Sequence, residues 1–339
     1  MKSIYKKIGA TIVGAIATVN VMALDELNVA YFEDWPMPFE YAKQIGAYDE
    51  ALGITVNWSA FGNGVAMSAA MASGDIDISV SQGVPPFIVA TSTGQDFQIL
   101  DVAVSYADND NCVVASALEI DASNASDLAG KKVAVPIGTA AHFGFLEQMD
   151  HFGVDVASLQ VVHMDPPDGA AAIAQGSVDM FCGWGGALRT AKEYGNVLLT
   201  GDEKTALGIL VWDVTSSPTS FVAENEEIVA TFLGVTAAAN AMWNSGNHTE
   251  LMIPHIAIDS GMDEAAVASD MATFIFPSVG SQLSEAWLGG NGQAFLKGVA
   301  DVFVKAGSFE KARDSYDSAV NTDGLNTVAN QTIHRYMGN

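Results

Sequence analysis

An internal repeat constrains this chain more than any single residue does. Residues 69–83 (AAMASGDIDISVSQG) align without a gap on residues 171–185 (AAIAQGSVDMFCGWG). Each copy reads as an Ala-rich helix that stops at a glycine, Gly74 or Gly176. An apolar run follows at once, Ile76 to Val80 or Val178 to Cys182. Glycine takes the left-handed position after a helix without a steric penalty, and a short apolar run bounded by a turn reads as a buried strand. Upstream, Leu27 to Phe32 and Lys131 to Pro136 both read as strands leading through a loop into a helix. A chain that writes the β-α-β-α-β unit twice is predicted to be α/β and two-lobed, each lobe a sheet flanked by helices. Open α/β sheets bind ligands at the carboxyl ends of their strands, so the ligand cleft is expected between the lobes.

The first residues address the compartment. Lys2, Lys6 and Lys7 precede an apolar stretch from Ile8 to Val19, and Val21-Met22-Ala23 has the small-x-small ending that signal peptidases cut after. The apolar run is short for a permanent membrane helix, and no cysteine follows it to carry a lipid. Residues 1–23 are therefore expected to be a cleaved signal peptide on a protein exported to the periplasm. Their removal deletes three lysines and no acid, which moves the formal charge from -26 to -29. Such a chain has no general attraction for nucleic acid or an anionic membrane surface, so an anionic ligand would depend on local donors. Solubility in a salty medium is the plainer account of the charge.

About 316 mature residues exceed one ordinary core, and the repeat divides them. Residues 24–104 are expected to form the first part of lobe 1 and residues 105–212 lobe 2. Residues 213–339 return to lobe 1 and end in helices, with apolar spacing over Glu224 to Trp243, Asp263 to Phe276 and Asn291 to Ala306. The hinge is expected near Val104 and Val211. Cys112 and Cys182 both fall in lobe 2, either as a disulfide or as two buried thiols in adjacent strands. A bridge closing a loop of this length would stabilise by about 4 kcal/mol in the chain-entropy model.

The sequence contains no nucleophile elbow, HExxH zinc motif, P-loop or dinucleotide fingerprint, and its six histidines lack metal-ligand spacing. The chain is read as a binding protein without enzymatic activity and without a cofactor.

The loops suit a small ligand with an anionic group. Pro136-Ile137-Gly138-Thr139-Ala140-Ala141-His142 joins a strand to a helix, so backbone N–H groups, the Thr139 hydroxyl and the helix dipole converge there. The first-lobe counterparts are Gly62-Asn63-Gly64-Val65-Ala66-Met67 and Ser81-Gln82-Gly83. Many neutral donors fit a sulfonate, although ordinary helix capping would use the same residues. A second set suits a cation: Glu33, Asp34 and Trp35 at the mouth of the first strand, Trp184 at the position equivalent to Gln82, and Trp212-Asp213 at the crossover. Aromatic faces and carboxylates together bind ammonium groups. Trp58 and Trp243 are expected to fill the core. The expected ligand contacts are thus Asp34, Trp35, Val65, Met67, Gln82, Thr139, Ala140, His142, Trp184 and Asp213.

Ala72-Ser73-Gly74-Asp75-Ile76-Asp77-Ile78, Gly130-Lys131-Lys132-Val133-Ala134-Val135-Pro136, Thr139 to His142, Pro166-Pro167 and Trp212-Asp213-Val214 resemble the taurine-binding periplasmic proteins of ABC transporters. The likeness runs from about Leu27 to Phe221 and weakens in the helical tail. It implies the type II periplasmic binding protein fold and capture of taurine or a close aminoalkanesulfonate at helix N-termini. It also implies a monomer that delivers its ligand to a cognate ABC permease. The Gly-Asp-Ile-Asp and Gly-Lys-Lys-Val-Ala-Val-Pro elements belong to a wider group that binds alkanesulfonates, nitrate or pyrimidine precursors, and the Asp213 context is the more taurine-like feature. The Cys182-Gly183-Trp184-Gly185-Gly186 segment and Glu33-Asp34-Trp35-Pro36-Met37-Pro38 depart from the pattern, which leaves open a related amino-sulfonate or another zwitterion; the alternative, a compact quaternary amine or a pyrimidine-type solute, would use Trp35 and Trp184 without needing Thr139. If the leader is read correctly, intact mass of periplasmic protein should give a chain beginning at Leu24; a mature chain retaining Met1 would contradict it.

Overall fold

The computed structural model describes residues 24–209 and 211–331. The expected signal peptide over residues 1–23 lies outside the described residues. Ten strands form two five-stranded sheets. The first sheet contains β1 (Glu26–Phe32), β2 (Thr55–Phe61), β3 (Ile78–Gly83), β4 (Phe97–Tyr106) and β10 (Val211–Pro218), in the order β2-β1-β3-β10-β4. The second contains β5 (Asp110–Ala115), β6 (Lys132–Val135), β7 (Gln160–His163), β8 (Met180–Trp184) and β9 (Gly195–Val197), in the order β7-β6-β8-β5-β9.

The two orders are the same pattern. In each sheet the first three strands are parallel and the fourth runs antiparallel. That antiparallel strand is the first to form after the chain changes sheets: β5 follows β4 of the first sheet, and β10 follows β9 of the second. Each sheet is therefore completed by a strand delivered directly from the other.

The sequence repeat reappears in the hydrogen bonds. Gly74 and Gly176, with φ of 83° and 68°, donate to Met71 and Ile173 at 3.1 and 3.0 Å. The next N–H groups, of Asp75 and Ser177, reach Ala70 and Ala172 at 3.1 and 2.8 Å. This paired closure of a helix end satisfies carbonyls that would otherwise be orphaned. The shared Asp of the repeat has the same task twice. Asp77 donates its N–H to the Asn28 carbonyl and accepts the Asn28 N–H on Oδ2, both at 2.8 Å; Asp179 does the same with Lys132, also at 2.8 Å. These bridges occupy the first residues of each predicted run, so the regular strands begin later, at Ile78 and Met180, and extend further toward the cleft.

Cys112 and Cys182 face each other in the register between β5 and β8 and are bonded. Beyond β10 the helices Glu226–Asn244, Thr249–Ser260 and Asn291–Lys305 dominate. The pattern over Asp263 to Phe276 is helical only through Met271. The following residues are extended because Ile275 exchanges backbone hydrogen bonds with Ser105 on the β4 edge, at 2.9 Å each way. Val320 bridges Ile99 on the same strand, so the tail lies against the first sheet. It also reaches the second: Arg189 pairs with Asp270 at 3.0 Å, and Lys305 pairs with Asp150. Among the described residues no helix is long and apolar enough to cross a membrane.

Candidate functional site

Where the two sheets face each other, a cavity of about 30 Å3 is lined from the first sheet by Phe32, Trp35, Ser81, Tyr106 and Asp213, and from the second by Asp110, Thr139, Ala140 and Trp184. The site is compact, with walls from both sheets.

Its centre is Asp213, 2% exposed. Residues alternate between faces along a strand, and on β10 this sends Trp212 away from the cleft, stacked on Phe295 at 4.5 Å, and Asp213 into it. The carboxylate accepts three hydrogen bonds. Trp35 Nε1 and Ser81 Oγ donate to Oδ2 at 3.0 and 2.8 Å, and Tyr106 Oη donates to Oδ1 at 2.9 Å. Ser81 reaches it from a left-handed backbone, φ 60°, rare for a residue with a side chain. All three donors are neutral, and no lysine or arginine is among the described residues lining the cavity. Burial lifts the Asp213 carboxyl to about 7 despite these donors. Asp110, likewise 2% exposed, is also lifted to about 7 by burial, with Lys204 opposing and Asp213 adding to the rise.

Aromatic rings surround this acidic centre. Phe32 packs edge-on against Trp35 and Trp184, with centroids at 5.4 and 5.9 Å, and Trp35 against Tyr106 at 5.1 Å. Trp184 Nε1 donates to Asp34 Oδ2 at 2.8 Å, a bond that joins the lobes at the cavity rim.

On the facing side, Thr139 precedes the helix Ala140–His151. The first N–H groups of a helix have no acceptor within it and form a ready anion site. The Thr139 hydroxyl itself donates to the Pro136 carbonyl at 2.6 Å, so in this form it braces the loop and leaves the backbone to face the cleft. His142, expected as a contact, lies beneath the loop: its Nδ1 accepts the Gly138 N–H at 3.2 Å, and burial lowers its pKa to about 4, which keeps it a neutral acceptor.

Among the predicted contacts, Trp35, Thr139, Ala140, Trp184 and Asp213 meet at the cavity. Asp34 stands at its rim. Val65 is exposed at the start of the helix Gly64–Ser73 and lies against Gly138 of the opposite lobe. Met67 and Gln82 are fully buried and do not line the cavity. The Gln82 amide donates to the Gly64 carbonyl at 3.0 Å and to Ser68 Oγ, and its oxygen accepts from Ser216 at 2.8 Å, so it anchors that helix to β10. The expected contacts leave out Phe32, Tyr106 and Asp110, and Ser81, expected as a donor to the anion, donates to Asp213 instead. Asp110 had a usable signal, because it follows the first crossover as Asp213 follows the second. Among the described residues no His, Cys, Asp or Glu cluster is placed to hold a metal ion.

The model of the NMT1/THI5-like family matches residues 37–250. Over 222 residues the chain is 26% identical to the taurine-binding periplasmic protein of Escherichia coli K12, covering 66% of this chain and 68% of that one. The alkanesulfonate-binding protein SsuA from Xanthomonas axonopodis pv. citri, solved bound to MOPS, superimposes with a TM-score of 0.70 at 20% identity over 88% of this chain and 99% of that chain. The desulfurization enzyme DSZB has the same fold, with a TM-score of 0.63 at 15% identity over 91% and 99%. The latter two likenesses bear on fold alone.

The buried carboxyl makes a pH prediction. A carboxyl that ionises near 3.8 when unfolded and at about 7 when folded contributes stability that is complete below the first value and lost as pH rises through the second. Asp213→Asn should therefore gain on the parent in thermal unfolding midpoint between about pH 4 and about pH 7, and hold a constant advantage above that. A difference between the two proteins that is independent of pH would contradict the assignment.

Proposed function

The chain belongs to the NMT1/THI5-like family, and from that membership we propose that it is the periplasmic substrate-binding protein of an ABC importer whose ligand is taurine or a close aminoalkanesulfonate. The observation that carries this reading is the buried Asp213 carboxylate, braced by three neutral donors and, among the described residues, unpaired with any cation, across the cavity from a helix N-terminus. A desolvated carboxylate ringed by aromatic faces is complementary to an ammonium group. A helix start with unsatisfied N–H groups is complementary to a sulfonate, which stays ionised and needs no proton partner. Both ends line the same compact cavity, which suits a short zwitterion. The name of the taurine-binding protein it resembles supports the same class.

In this reading the two sheets are lobes that close on the ligand, because a molecule touching both favours the closed form. Delivery to a permease follows from the transporter role, and the ligand leaves unchanged. A second reading, a compact quaternary amine, is favoured by the aromatic ring alone and makes no use of the helix start.

Calorimetric titration separates them. The parent should bind taurine more tightly than choline. Asp213→Asn keeps the shape but removes the charge, so taurine should lose about 2 to 5 kcal/mol, while ethanesulfonate, which has no ammonium, should lose little or gain. Thr139→Ala should weaken both sulfonates alike, by about 1 kcal/mol, because it removes the hydroxyl brace to the Pro136 carbonyl that holds the helix start in place. An Asp213→Asn variant that binds taurine as tightly as the parent would move the amine site elsewhere.

A further inference from the structure

We propose that Asp110 is the second carboxylate of the binding site, and that one ligand ammonium is held between it and Asp213, each aspartate supplied by a different sheet. The proposal rests on the zwitterion reading above and names the residue that completes its cationic end.

Three observations lead to it. Asp110 lines the cavity, and its Oδ2 is buried without a hydrogen-bond partner. A buried carboxylate oxygen left bare is costly, and a cavity beside it marks where its partner belongs. The nearest buried cation does not fill that role. The Lys204 ammonium donates instead to the backbone carbonyls of Ala107, at 2.8 Å, and Asp110, which fixes the start of β5 and leaves the side chain unpaired.

The second observation is one of valence. A carboxylate offers about four lone-pair sites. Asp213 already has Trp35 and Ser81 on Oδ2 and Tyr106 on Oδ1, so it retains one acceptor position. A primary ammonium brings three N–H donors into a site with little room for water. Asp213 alone would leave it underbonded.

The third is topological. Asp110 opens β5, and Asp213 lies near the start of β10. These are the two antiparallel strands that each begin just after a crossover, so the fold brings both carboxylates to the cleft by the same device. An ammonium between them ties the sheets together.

The test is calorimetry on the parent, Asp110→Asn and Asp213→Asn with taurine, ethanesulfonate and N,N-dimethyltaurine. The proposal predicts that Asp110→Asn weakens taurine by about tenfold or more and leaves ethanesulfonate within about threefold. N,N-dimethyltaurine has a single N–H, which Asp213 can accept alone. It should bind the parent about tenfold more weakly than taurine, with the gap narrowing in Asp110→Asn. Equal losses of taurine and ethanesulfonate would make Asp110 a structural neighbour of Lys204 and overturn the proposal, as would unchanged taurine binding. If Asp110→Asn does not fold, the parent decides: equal affinity for the two amines overturns it. Selective loss in Asp213→Asn without loss in Asp110→Asn defeats this proposal alone. A parent that binds no taurine defeats the zwitterion reading and this proposal together.

Discussion

The structure around the cleft depends on a carboxylate removed from water without a counter-charge. Asp213 is held by the indole of Trp35 from the loop after β1, the hydroxyl of Ser81 on β3 and the phenol of Tyr106 on β4. Desolvation of an anion is expensive, and neutral donors offset only part of that cost. The protein tolerates it because β10 is a central strand, paired to β3 on one side and β4 on the other. The strained backbone of Ser81 follows from the same constraint, since it aims the hydroxyl at Asp213. Polar strain gathered at one point of an otherwise well-packed sheet is what a preorganised binding site looks like.

Duplication explains how the two halves of the site meet. Each sheet repeats the same helix closure and the same Asp bridge to its first strand, at Asp77 and Asp179, and each is completed by an antiparallel strand from the other. The crossovers therefore serve both connection and recognition. The copies then diverge where they face the cleft: Gln82 is buried as a brace for its helix, while its counterpart Trp184 lines the cavity and bonds Asp34 across it. One scaffold unit thus gives one wall that is packed and one that is aromatic.

How much of this was legible in the sequence follows from how local each signal is. The repeat was visible because a glycine after an Ala-rich helix and an Asp before an apolar run act within a few residues. Asp213, Trp35, Trp184 and Thr139 could be placed because they follow strand ends or crossovers. Tyr106 carries no local signal, and Ser81 reads as a donor to the anion, because their actual partner lies on a strand more than a hundred residues away. Met67, Gln82 and His142 lie on the elements that border the cleft, but whether a side chain points into it or beneath it is set by tertiary packing. The apolar spacing of the tail predicts a helix through Phe276, yet pairing with the β4 edge overrides helical propensity after Met271.

The central claim is that the cleft receives an amine at its aspartates and an anion at the helix start. A crystal structure of the protein with taurine tests it most directly. The account predicts the taurine nitrogen within hydrogen-bond distance, about 3 Å, of Asp213 Oδ1, and sulfonate oxygens at the N–H groups that open the helix Ala140–His151. Taurine bound in the opposite sense, or away from Asp213, would contradict it.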